Sequence, residues 1–302
     1  VIGFLVVDKE AGWTSHDVVA RCRRILSERR VGHAGTLDPS ATGVLVLGVG
    51  RATRLLRYVS GADKEYRGEL VLGTATSTLD DEGEVVARFD MAGVTLDDVR
   101  SAARGLTGEI DQRVPMVSAV KVGGRRLHRL AREGTEVETP VRRVLVERLE
   151  VSAGSEPGVF ALEVRCSAGT YVRVLAADLG TALGGGAHLR RLRRTRVGRF
   201  TEADARTLGD LERALATRET VLRPPLEGIG LTAVQLDRVQ AGDVAHGRPL
   251  PLDTFVGPGP FALVDPAGEL VAVYEADPAV RTARPVVVLR PASVPGTPTP
   301  AG

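Results

Sequence analysis

Cysteine is almost missing from this 302-residue chain: Cys22 and Cys166 stand far apart, with no CxxC spacing and no histidine at ligand distance. That excludes a disulfide framework and a structural zinc site, and the helix-like and strand-like surroundings predict two buried thiols. Long apolar runs are missing too. None approaches the ~20 residues that cross a bilayer, and residues 1–7 reach a charge too soon for a signal peptide. They read as a first strand in a numbering that lacks the initiator methionine, and cytoplasmic residence is the expectation. Lysine is scarce, with Lys9, Lys64 and Lys121 the only three among 40 basic residues, and the net charge of +2 selects no partner. With 43% hydrophobic residues the remainder is ordinary globular sequence. Its length passes the ~250 residues at which single cores stop growing, so two domains are expected.

The distribution of charge says more than its sum. Residues 186–200, GAHLRRLRRTRVGRF, hold six arginines and no acid. A solvated basic face is the common explanation, yet cations so dense repel one another, and a strand facing phosphates makes better sense of Arg190, Arg191, Arg193, Arg194 and Arg196. A second basic stretch, residues 112–140, carries Lys121, Arg125, Arg126, Arg129 and Arg132 around Gly123-Gly124. It reads as a glycine-hinged excursion from the main body.

Along the chain, residues 2–7 predict a strand, and Thr14 or Ser15 caps a helix with apolar residues at 18, 19, 22, 25 and 26. Residues 44–49 form an apolar strand, 51–60 a helix and 64–72 an alternating strand, while 73–83 is a polar loop. Thr95 to Asp98 reads as a capping box for a helix ending near Gly105. Residues 141–151 and 159–167 read as strands of one hairpin, and a helix opens at 169–171. Composition shifts at Arg223-Pro224-Pro225. Beyond it, residues 239–250, 261–264, 270–274 and 285–289 suggest a small β-rich module, and residues 291–302 a disordered Pro/Thr/Gly tail.

Between the first helix and the apolar strand lies GHAGTLDPSATG, residues 32–43. Its glycines permit positive φ, and Asp38 before Pro39 is biased to extended backbone, which holds one carboxylate on a rigid loop. Ordinary turn chemistry is the competing explanation.

The ordered set Gly3-Phe4-Leu5, Asp8-Lys9, Gly12, Thr14-Ser15, then Gly32 to Pro39 with Ala41-Thr42-Gly43, Lys64-Glu65-Tyr66, Thr76-x-Thr78-x-Asp80-x-x-Gly83, Gln112-x-x-Pro115-x-x-Ser118-Ala119-x-Lys121, Gly169-Thr170-Tyr171-Val172-Arg173 and Gly186-Ala187-His188-Leu189 closely resembles the TruB family of bacterial tRNA pseudouridine synthases. It departs at Glu10, where the family usually has Pro, and at Val117, where it often has Tyr.

The resemblance implies a mixed α/β catalytic domain over residues 1–225, built on a curved, mostly antiparallel sheet flanked by helices. Residues 112–140 become an RNA-clamping insertion and 226–290 a PUA-like RNA-binding module. It implies isomerisation of one uridine in the tRNA T-loop, position 55, with no cofactor and no metal. Asp38 is the implied nucleophile, Arg173 its cationic companion and Tyr66 the ring stacked on the target base. Leu189 is the implied apolar pocket wall, and His33 helps to flip the base. Asp80 is either a turn acid or part of the site. Lys9, Lys121, Arg125, Arg190, Arg193 and Arg194 are the candidate substrate contacts. The implied partner is tRNA, the chain is expected to be monomeric, and a parallel tRNA-folding role is compatible with the same features. The competing classes are a non-catalytic tRNA-binding factor and a guide-RNA-dependent synthase acting on ribosomal RNA.

Overall fold

The computed structural model describes residues 1–289; the tail expected at 291–302 lies outside them. The chain begins with β1 (Gly3–Lys9), buried along nearly its whole length, and turns into α1 (Ser15–Ile25). Thr14, not Ser15, caps α1 in a reciprocal box with Asp17, at 3.0 and 3.1 Å. β2 (Val31–His33) and β3 (Thr42–Val49) follow. The single helix expected at 51–60 is a 3₁₀ turn, Gly50–Leu55, that tightens into α2 (Leu56–Ser60).

β4 (Lys64–Leu72) is the expected alternating strand. The polar loop after it is in fact a small hairpin, β5 (Thr74–Thr76) with β6 (Val85–Arg88), whose turn carries the polar residues. α3 (Leu96–Gly105) opens on the Thr95/Asp98 capping box and leads to β7 (Gly108–Arg113). The excursion holds only short pieces, β8 (Lys121–Val122), β9 (Arg125–Arg126) and α4 (Leu127–Arg132). They gather over a small cluster of their own, Val114, Leu127 and Leu130. β10 (Val141–Ala153) and β11 (Val159–Cys166) pair as the expected hairpin. α5 (Val172–Ala182), β12 (Ala187–Val197) and β13 (Phe200–Thr201) complete the first sheet.

That sheet has nine strands in the order β1-β3-β12-β4-β11-β10-β7, with β2 on β3 and β13 on β12. Its β12–β3 junction is parallel, and the other neighbours run antiparallel. One face packs on α1 and α5 through Val18, Cys22, Leu175 and Leu179, and both cysteines are buried free thiols. Burial pushes the Cys22 thiol up to about 12 and the Cys166 thiol to about 11.

After α6 (Leu208–Ala216) and α7 (Pro225–Ile229), β14 (Thr232–Gln235) enters a second sheet. The strand expected from residue 239 is a helix, α8 (Arg238–Ala245): the Asp237 carboxylate accepts from the amides of Val239 and Gln240, both at 2.8 Å. A capped first turn outweighs the strand preference of two valines. β15 (Leu250–Pro251), β16 (Phe261–Val264), β17 (Leu270–Asp277) and β18 (Thr282–Val288) complete a five-stranded sheet in the order β14-β16-β17-β18-β15. Phe4 and Phe200 of the first sheet join Ile229, Val264 and Val273 of this region in one apolar cluster. Among the described residues no helix is long and apolar enough to cross a membrane.

Candidate active site

The Asp38 loop is held from beneath by side chains of three different elements. Arg194 of β12 donates to the carbonyls of Gly35 and Thr36 at 3.2 and 3.3 Å. Ser15, released from capping duty, donates to Leu37 O at 3.1 Å and accepts from Leu37 N at 2.9 Å. Asp38 O accepts from Ala41 N at 3.1 Å, and Lys9 Nζ donates to Pro39 O at 3.0 Å. Five successive carbonyls are therefore satisfied. Leaving a buried one unmade costs ~1–3 kcal/mol, so the loop has little freedom to rearrange. Its apex carboxylate nevertheless faces outward: the Asp38 side chain keeps 40% of its exposure.

Arg173 meets that carboxylate from 135 residues away, with its Nε 3.0 Å from Asp38 Oδ2. Its other nitrogens donate to Thr78 O at 2.5 Å and to Val117 O at 3.0 Å, and Asp80 lies 3.5 Å from Nε. One guanidinium thus ties together the Asp38 loop, the β5–β6 turn and the root of the excursion. The Thr78 hydroxyl also bonds the Asp80 carboxylate, fixing the second acid beside it. Arg173 occupies this place because α5 starts one residue earlier, where both backbone polar groups of Tyr171 are held by the Gln112 amide at 2.7 and 3.1 Å. The bond at Val117 uses a carbonyl, so the absence of a tyrosine side chain there leaves it intact.

Above this pair opens a cleft of about 390 Å³, in the range that takes one small molecule, lined by Asp38, Lys64, Tyr66, Arg173, Leu192 and Arg194 among others. Tyr66 sits in β4 opposite Val164 on one side and Arg194 on the other. Burial pushes its phenol up, with the neighbouring Arg194 charge acting in the opposite sense. Lys64 donates to Ser60 O and Ala62 O at 3.0 and 2.7 Å. Burial, followed by Arg194, lowers its ammonium to about 8.

The other expected residues are placed unevenly. Leu189 is buried and lines a narrow recess together with Asp38, Asp80, Arg173 and Leu192; the leucine on the wall of the main cleft is Leu192. His33 lies in β2 opposite Leu47, outside the lining of the cleft, with its ring 5.3 Å from that of His16. Burial first, then His16, lowers its imidazolium. Lys9 is no substrate contact. It is 1% exposed and donates to the carbonyls of Glu10, Trp13 and Pro39, and burial lowers it to about 8.

The arginine run also departs from expectation. Arg190 pairs with Glu69 and Glu156 at 2.6 and 3.0 Å, and Arg191 with Glu69 at 3.0 Å. Arg193 meets Asp8 bidentately at 3.0 and 2.9 Å as well as Glu202, and Arg196 meets Glu65 at 2.9 Å. Acids from β1, β4 and elsewhere supply the neutralisation that the run itself lacks. Arg194 is only 1% exposed and directs its guanidinium to the carbonyls of Val44, Thr36 and Gly35 and to the Tyr66 hydroxyl, so it is withdrawn as a phosphate contact. In the excursion, Arg125 pairs with Glu133, whereas Lys121, Arg126, Arg129 and Arg132 are exposed without an ion pair among the described residues. Lys64, Gln112, Ser15 and Leu192 were not singled out beforehand. The detectable signal was their place inside the quoted motifs or next to them.

Residues 23–172 match the TruB family pseudouridylate synthase N-terminal domain. Residues 173–239 match the tRNA pseudouridylate synthase B C-terminal domain, and 231–290 the C-terminal region of tRNA pseudouridine synthase II. The tRNA pseudouridine synthase B of Rhodococcus jostii (strain RHA1) is 48% identical over 299 residues, 97% of this chain and 95% of that one. Its counterpart in Leifsonia xyli subsp. xyli (strain CTCB07) is 48% identical over 283 residues, 90% and 92% of the two chains. Among solved structures, a chain from the crystal structure of a Cbf5-Nop10-Gar1 complex superposes with a TM-score of 0.73 at 28% identity, over 95% of this chain and 83% of that one. The chain belongs to the TruB family of tRNA pseudouridine synthases.

Proposed function

We propose that this chain converts one uridine of the tRNA T-loop, position 55, to pseudouridine without a cofactor, and that Asp38, Arg173 and Tyr66 carry the chemistry. The observation behind this reading is the Arg173–Asp38 pair, 3.0 Å apart at the foot of the cleft that Tyr66 lines. The reaction breaks the bond from uracil N1 to C1′, turns the base and joins C5 to C1′; the C5 proton leaves to solvent and N1 gains one. Atoms balance with no redox partner. Asp38 supplies the charge needed at the sugar or base, the guanidinium holds and aims it, and the Tyr66 ring stacks on the uracil. Extrusion of the target costs a few kcal/mol, which exposed Lys121, Arg126, Arg129 and Arg132 offset at the RNA backbone. His33 fills the vacated stack.

Residues 1–225 act as the catalytic domain and 226–290 as a PUA-like RNA-binding module, in a cytoplasmic monomer. A guide-RNA-dependent synthase has support from the Cbf5 neighbour at 28% identity, less than the 48% to relatives named for tRNA. Purified protein is incubated with a bare tRNA transcript tritiated at uridine C5, and pseudouridine is mapped. Tritium release confined to position 55 is expected; no release without added guide RNA would reject the reading. Asp38→Asn should lower release by more than about 10³-fold while tRNA binding by filter retention stays near wild type.

A further inference from the structure

We propose that Arg194 is a positioning residue for this reaction, a buried guanidinium that locks the Asp38 loop to the strand carrying Tyr66 and makes no contact with RNA. The inference rests on the pseudouridine-forming reading above. Arg194 stands where β12 is paired on both edges at once, antiparallel with β4 opposite Tyr66 and parallel with β3 opposite Gly43. Its backbone therefore already joins the two strands that flank the cleft. Its side chain adds three bonds: Nε to Val44 O at 2.7 Å, just after the loop, and the two terminal nitrogens to Thr36 O and Gly35 O, just before Asp38. Both ends of the loop are thereby gripped by one planar group.

A bulge makes this possible. The β12 register slips between Arg190 and Arg193, with Arg191 at a φ of 52°, so Leu192 and Arg194 turn toward the cleft while Arg193 turns to Asp8. The charge is central to the site, since Lys9, His33, Lys64 and Tyr66 all lie within its electrostatic reach. Lysine cannot replace it, because one nitrogen on a flexible stem does not span carbonyls on both sides of the loop. A phosphate contact is excluded by burial.

Arg194→Lys and Arg194→Ala are compared with wild type in the full chain by tritium release, calorimetry and near-ultraviolet circular dichroism. Displacement of a catalytic group by ~1 Å costs roughly hundredfold, and that loss is expected in kcat for both variants. KM for tRNA should change by less than about threefold. Millimolar guanidinium should restore part of the Arg194→Ala kcat, and equal ammonium should not. Three results would overturn the proposal: a raised KM at unchanged kcat, a fully active Arg194→Lys, or no rescue by guanidinium in a protein with native dichroism. Wild-type turnover tests the underlying reading separately, since the proposal concerns only ratios to it.

Discussion

The Asp38 loop and the excursion at residues 112–140 border the same cleft, both bear glycines, and they are built in opposite ways. In the loop, Gly43 has a φ of +99° and sits against Arg194, whose backbone N lies 3.0 Å from where a methyl would stand and whose carbonyl oxygen that methyl would strike. In the excursion, Gly123, Gly124 and Gly134 have positive φ with nothing around them. The first region needs glycine because another backbone passes through the space. The second needs it only for local turns. The difference suits the proposed roles: a mount for a reactive carboxylate would gain from being over-determined, and a clamp admitting RNA would gain from having few bonds to break.

Gly43→Ala and Gly124→Ala put the contrast to its hardest test. Alanine at 43 meets backbone that cannot give way, so a loss of about 3 kcal/mol in urea unfolding is expected, with activity falling alongside it. Alanine at 124 pays only the left-handed conformation, about 1 kcal/mol. Equal losses at the two sites would erase the distinction.

The excursion's cations come next in size. Replacing Lys121 and Arg129 together by alanine should raise KM for tRNA about tenfold, leave kcat unchanged and flatten the dependence of binding on salt. The same pair of changes in the β12 run, at Arg190 and Arg193, should instead register in stability, since those side chains hold Glu69, Glu156, Asp8 and Glu202. Competition filter binding at several salt concentrations separates the two regions.

Local rules carried much of the fold. Alternation gave β4, and the box at Thr95 and Asp98 gave the start of α3. They failed where a side chain reversed the preference, as Asp237 did for α8, and where strand neighbours mattered. The partners of the arginine run come from β1 and β4, and only topology brings Asp8 and Glu69 to β12. Leu189 is carried over from the family motif as the apolar wall, yet Leu192 lines the main cleft, because the bulge at Arg191 decides which residues of β12 face it. Asp38, Tyr66 and Arg173 entered as site residues through family motifs. Nothing local to Arg173 tells of a carboxylate 135 residues earlier.

The smallest effect lies in what makes the rigid loop conditional. Lys9 holds Glu10 O, Trp13 O and Pro39 O with three donors, and it has three only while protonated. Burial lowers it to about 8, against the pull of Asp38 and with the push of Arg194, so the proton is present below that pH and lost above it. One of its three bonds is then lost, leaving Pro39 O to the Gly12 amide alone at 2.9 Å or depriving Glu10 O or Trp13 O of this donor, and kcat should fall severalfold as pH rises through about 8. Lys9→Arg keeps its charge throughout and should shift that limb upward, leaving whatever part belongs to Lys64, which burial lowers to a similar value. Rates of tritium release measured from about pH 7 to 9.5 distinguish the two lysines. A limb unmoved in Lys9→Arg would assign it to Lys64, and the loop's rigidity would then be independent of pH like that of the arginine beneath it.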